Sequence, residues 1–238
     1  TFGVVGVNGG LANTTNACFA AELSWARGSS GGTGQPRAAL YVNTANPGAV
    51  SASWPTSNTD PGGAPVSNPY GTCTVDPSTN RGADTAACAY VYGYSRAHDD
   101  VTQRLGGERS ADFLWWLDVE TTSSWAGVDE STPPRTPSPS ATTANLADLE
   151  GMTAYLRGTG ATVGVYSSVY QWGQIVGQVP SSSSLQGAPS WLAGYSSVAA
   201  ARTGCVTGQP LVGGTVTMTQ FEPTSSPSNR VDYDVSCT

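Results

Sequence analysis

Short, unbroken apolar runs recur along this chain. They alternate with stretches whose apolar residues fall three and four positions apart. The runs at 2–7 (FGVVGV), 38–43 (AALYVN), 113–119 (FLWWLDV), 162–167 (TVGVYS), 190–195 (SWLAGY), 215–221 (TVTMTQF) and 231–236 (VDYDVS) read as seven strands. Most are apolar at consecutive positions, which suits a parallel sheet buried on both faces. Between them, Phe19, Leu23 and Ala26 share one face of a helix that starts near Asn16 and stops at Gly28. Tyr90, Tyr94, Ala97, Val101 and Leu105 mark a second helix over 90–105. Leu146, Leu149, Met152 and Leu156 mark a third, with Asn145 and Asp148 spaced as a capping box and Gly158 and Gly160 as its stop. About four helices are expected in all. Strands alternating with helices predict an α/β fold, a sheet with helices outside, in one domain over 1–238. Residues 44–88 and 129–143 break the pattern as loops rich in Pro, Gly, Ser and Thr, and are read as insertions.

Sheets of this kind gather their chemistry at the C-terminal ends of the strands. There the third run closes on Asp118 and Glu120. Two residues apart on a strand, both carboxyls face the same way, with Cα atoms roughly 6.5 Å apart. Neighbouring carboxyls beside apolar walls drive their pKa values apart, leaving a proton donor next to an anion, the pair that breaks a glycosidic bond. The plain alternative is a solvated strand end, since D-x-E alone recurs by chance. Emergence from an apolar run favours the chemical reading, because burying charge there is costly. Trp116, Trp125, Tyr41, Tyr166 and Trp172 are candidate platforms for sugar rings. Asn8, Asn43, Gln220 and Glu222 also follow strands. Asp232 and Asp234 form a second same-face pair that faces either the mouth of the sheet or solvent. His98, beside Asp99 and Asp100, reads as a solvated helix face, and Trp25 and Trp115 as core.

Composition narrows the partners. Of 238 residues only 11% are charged, every basic residue is Arg, and the net charge is -7. With no basic patch, nucleic acid and anionic membranes are poor partners, and no apolar run is long enough to span a bilayer. Five cysteines without a C-x-x-C pair and a single His make a zinc site improbable; disulfides in an oxidising compartment fit better. Cys73 with Cys88 and Cys205 with Cys237 are the expected pairs, although sequence leaves other connectivities open and Cys18 is left over.

Taken in order, FGVVGVNGG, ALYVN, LWWLDVE, TVGVYSS, SWLAGY, TMTQF and VDYD resemble the strands of glycoside hydrolase family 25, the lysozymes that cleave peptidoglycan. The resemblance implies an irregular (β/α) TIM-like barrel, a secreted enzyme needing no cofactor, and a wall polysaccharide as substrate. By position Glu120 is then the general acid, and Asp118 stabilises the oxocarbenium-like charge or orients the acetamido group. Asp232, Tyr41, Tyr166, Gln220, Trp116 and Asn8 line the sugar site. A catalytically inactive carbohydrate-binding relative and a glycosidase for another bacterial polysaccharide are the competing readings. The family pattern also opens with a strand bearing Asp-x-Ser that has no counterpart here. The expectation is that an N-terminal segment carrying it was cleaved or left out, and that it holds a partner for Cys18.

Overall fold

The computed structural model describes residues 1–48, 52–128, 137–222 and 232–238. Seven strands form one sheet: β1 (Gly3–Gly6), β2 (Ala38–Asn43), β5 (Leu114–Asp118), β6 (Thr162–Ser167), β7 (Ser190–Tyr195), β8 (Val216–Phe221) and β9 (Tyr233–Ser236), in that spatial order. All neighbours are parallel except β8 and β9. The two-residue strands β3 (Val75–Asp76) and β4 (Arg81–Gly82) make a separate hairpin. The helices are α1 (Phe19–Arg27), α2 (Ala86–Asp99), α3 (Pro139–Gly158), α4 (Val169–Ile175) and α5 (Val198–Thr207).

The apolar runs of β1, β2, β5 and β6 are continuous because these strands are buried on both faces. On β5, Trp115 and Leu117, with Val119 just beyond it, join Leu40, Val42, Val163, Val165, Leu149 and Met152 in the core under the helices. Trp116 points the other way and meets Ala39, Tyr166, Trp191 and Met218, with Phe2 and Val4 against them. Strands from both ends of the sheet thus surround one inner cluster, so the sheet is curled. Gln35, ahead of β2, reaches Thr217 O of β8 at 2.7 Å. The result is the expected α/β architecture, an open, half-closed barrel with helices outside. Gly164 permits the inner packing: a Cβ there would stand 2.4 Å from the Trp116 ring.

Several local readings are corrected. The third helix is capped by Ser138, whose hydroxyl accepts from Ala141 N. Residues 139–143 are therefore its first turn; residues 129–136 lie outside the described part. Asn145, read as the cap, sits inside α3 and is fully buried. Its Oδ1 accepts from Asn46 Nδ2 and Ala126 N at 2.9 Å each, and its Nδ2 donates to Ala126 O at 3.0 Å and Ile175 O at 2.8 Å. The amide is saturated, and it ties the loops after β2 and β5 to α4. The 44–88 stretch is more built than a loop. Trp54, Val66, Cys73, Cys88 and Tyr90 form a small core of their own, closed by the Cys73–Cys88 disulfide. Cys205 bonds Cys237, fastening α5 to the end of β9, and Cys18 is free and exposed. Trp25 is 67% exposed rather than core, because α1 turns it outward against Gly3. His98 is half-buried, its ring edge-on to Tyr155 at 5.4 Å, instead of solvated. No helix among the described residues is long and apolar enough to cross a membrane.

Candidate active site

Parallel register builds the cleft. Asn43, Asp118, Tyr166, Trp191 and Met218 are successive cross-strand partners, so one row of side chains rings the barrel interior near the strand ends. Tyr41, Asn43, Asp118, Glu120, Tyr166, Trp191, Gln220, Asp232 and Asp234 line a cavity of about 350 Å³, with Val4 of β1 on its wall. Glu120, Tyr166 and Gln220 also border a second lobe of about 340 Å³, with Ser168, Gln171, Tyr195 and Glu222. Glu120 stands where the two lobes meet. A larger cavity of about 930 Å³, between the starts of α2 and α3, is lined by one carboxyl, Asp84, among the described residues.

Asp118 is buried at 7% exposure. Its Oδ2 accepts from Asn43 Nδ2 at 2.6 Å, while its Oδ1 has no partner among the described residues. Burial, and then the charge of Glu120, hold this carboxyl well above the usual carboxylate range, with Asn43 opposing them. Glu120 lies just past β5 and is half-buried. Its backbone is fixed by Trp125 Nε1, which donates to Glu120 O at 2.9 Å, and by Thr121 N, which donates to Gln171 Oε1 at 2.7 Å. Burial raises its pKa; Gln171 and Tyr166 pull it back, and Asp232 and Glu222 push it up further.

Tyr166 donates to Gln220 Oε1 at 2.6 Å and leans on Trp191, ring centroids 4.4 Å apart. Its single hydroxyl proton thus has two takers, Gln220 and Glu120. Burial and the surrounding acids hold the phenol far from ionising. No cationic side chain lines either lobe among the described residues, and no cluster there could hold a metal ion.

Of the residues singled out in the sequence, Asp118, Glu120, Tyr41, Tyr166, Gln220 and Asp232 converge on the cavity. Trp116 does not line it: fully buried, it supports Trp191 from beneath at 5.7 Å. Asn8 is also buried, and grips the Asn43 backbone, accepting from Asn43 N at 3.0 Å. Trp125 and Trp172 are buried under the loops and present no face to the cleft. The sequence did not single out Trp191, marked Asn43 only as following a strand, and left Asp234 open between the cleft and solvent. Each is a strand-period or cross-strand neighbour of a residue that it did single out, a relation visible only once register is fixed.

No family model matches the chain. Over 94 residues, 40% of its length, it is 36% identical to a protein named "Probable GH family 25 lysozyme 4" of Dictyostelium discoideum. The matched stretch is 36% of that relative's own length. In fold it is similar to the muramidase of Trichobolus zukalii, with a TM-score of 0.50 and 16% identity over 98% of this chain and 79% of the other. The resemblance read from the ordered strand motifs is thus met by a stretch of sequence like a protein named for glycoside hydrolase family 25, and the fold it implied by a solved structure of similar fold over nearly the whole chain.

Proposed function

We propose that this chain is a secreted, lysozyme-type glycoside hydrolase that cuts bacterial cell-wall glycan, most directly the β-1,4 linkage of N-acetylmuramic acid in peptidoglycan. The observation that carries this reading is the bare, buried Oδ1 of Asp118 beside a half-buried Glu120 at the junction of two lobes. A sugar in the 350 Å³ lobe would bring its acetamido N–H to that oxygen. Hydrogen bonding to the charged form favours it, so substrate draws the negative charge onto Asp118 and leaves the proton on Glu120. Glu120 then protonates the leaving oxygen as the glycosidic bond breaks. The acetamido oxygen bonds to the anomeric carbon with Asp118 stabilising the positive charge; a water then attacks that carbon, displacing the acetamido oxygen, and gives its proton to the Glu120 carboxylate. The two disulfides accord with an oxidising compartment.

The test is digestion of purified cell walls, counting new reducing ends, with wild type against Glu120→Gln. General acid catalysis of this kind is worth roughly 10²–10⁴-fold, and a loss of that size is expected. Equal activity of the two proteins would overturn the assignment of Glu120. Wall binding by wild type without cleavage would favour a non-catalytic carbohydrate-binding relative instead.

A further inference from the structure

Asp232 and Asp234 line the cleft without a part in that reaction, and Asp234 is the one held by an indole. Asp234 stands on β9 directly opposite Gln220 of β8, and direct partners in an antiparallel pair share a face. Its Oδ1 reaches past β8 and accepts from Trp191 Nε1 of β7 at 3.0 Å. It lines the cavity opposite Asp118 and Glu120. Among the described residues no hydrogen bond to its Oδ2 is formed and no cation lines the lobe. Asp234 is half-buried, which favours the neutral form of a carboxyl, and holding an indole N–H needs no more than a neutral acceptor. The arrangement calls for an incoming polar group.

We infer that Asp234 is a positioning and specificity-determining residue, which locks the Trp191 indole under the sugar with one oxygen and donates a hydrogen bond from the other to a sugar oxygen. This rests on the glycan reading of the cleft. Through Trp191 the same contact steadies Tyr166, and hence the hydroxyl shared by Gln220 and Glu120. Donation requires the protonated acid. Burial, opposed by Trp191 and helped by Asp232, pushes its pKa up to about 7. Among the described residues, the ionisable groups facing it are Asp232 from its own strand lead, Asp118 and Glu120 from β5 and the residues beyond it, Tyr41 from β2 and Tyr166 from β6.

The experiment uses the Glu120→Gln protein as a non-cleaving parent. Its affinity for a soluble tetrasaccharide of alternating N-acetylglucosamine and N-acetylmuramic acid is measured by calorimetry at pH 5 and pH 8. Asp234→Ala on this background is expected to weaken binding about tenfold at pH 5, as for one lost hydrogen bond. Asp234→Asn keeps the acceptor for Trp191 and supplies a permanent donor. It is expected to restore most of the affinity at pH 5 and to bind more tightly than the parent at pH 8. Titration of Asp118 is common to all three proteins and cancels in the comparison. If the parent and Asp234→Asn lose affinity equally between pH 5 and 8, or if Asp234→Ala binds like the parent, the inference falls while the glycan reading stands. If the parent binds no glycan at either pH, the reading itself falls and takes the inference with it.

Discussion

Asn43 gives the Asp118 carboxyl its one hydrogen bond among the described residues, Nδ2 to Oδ2 at 2.6 Å. The two are cross-strand partners on β2 and β5, so sheet register sets their distance. Asn43 is also the group that opposes the rise in the Asp118 pKa. Replacing it with Ala leaves a buried acid with no donor and makes its ionised form harder to reach. A hydrogen bond to a charged group is worth about 1.5–3 kcal/mol, so kcat/KM on wall glycan should fall about 10- to 100-fold in Asn43→Ala. A fall below threefold, with the thermal transition unchanged, would count against a working Asp118.

The alkaline side of the pH–rate profile should report Glu120. Its pKa is raised in part by the charge of Glu222 across the second lobe. Removing that negative charge makes Glu120 lose its proton more easily. Glu222→Gln should therefore shift the alkaline limb of kcat/KM to lower pH. A limb that stays put, or moves to higher pH, would mean that another group governs it.

Stability should also fall with rising pH, through a residue far from the cleft. Asp148 on α3 is fully buried against α2, where Gly93 leaves it room, and neither carboxyl oxygen has a partner among the described residues. Burial holds its pKa well above the ordinary value, with Arg96 opposing. The folded chain therefore keeps this proton where the unfolded chain has lost it. From about pH 4 up to the folded-state pKa, each unit of pH takes about 1.4 kcal/mol from stability. Asp148→Asn should raise Tm at pH 7 and leave it nearly unchanged at pH 4. Equal shifts at both pH values would show that the effect is packing and not ionisation.

The two disulfides should differ in what they protect. The cross-links span 15 and 32 residues, and the chain-entropy argument assigns each about 3–4 kcal/mol. Cys205–Cys237 anchors β9, whose one strand partner is β8, and so holds the wall that carries Asp234. Replacing both cysteines with Ser should lower Tm and also raise KM for glycan. The same change at Cys73 and Cys88, behind the small core away from the cleft, should lower Tm alone. KM changes of equal size in both variants would contradict this division.

The sequence revealed most of the seven strands because they are apolar on both faces, and it revealed Asp118 and Glu120 because they interrupt the most apolar of them. It could not rank the tryptophans. Trp116, Trp125 and Trp172 looked as suitable for sugar stacking as any, whereas Trp191 lines the cleft. Which indole faces the cavity depends on register and curl, and neither leaves a mark on composition. Asp234 was open for the same reason, since strand period gives its face but not what that face looks at. Asn145 was misread because its spacing to Asp148 imitates a cap. What distinguishes a buried amide from a capping one is the set of loops brought to it, and those come from elsewhere in the chain.

That amide has a practical consequence. Two loops, after β2 and β5, and the end of α4 share one fastening, and all four of its hydrogen bonds are taken. None of the three can be exchanged as a free module. A graft intended to retarget this face would have to keep the Asn46 amide, the Ala126 backbone and the Ile175 carbonyl at their mutual spacing, or else rebuild all of them together.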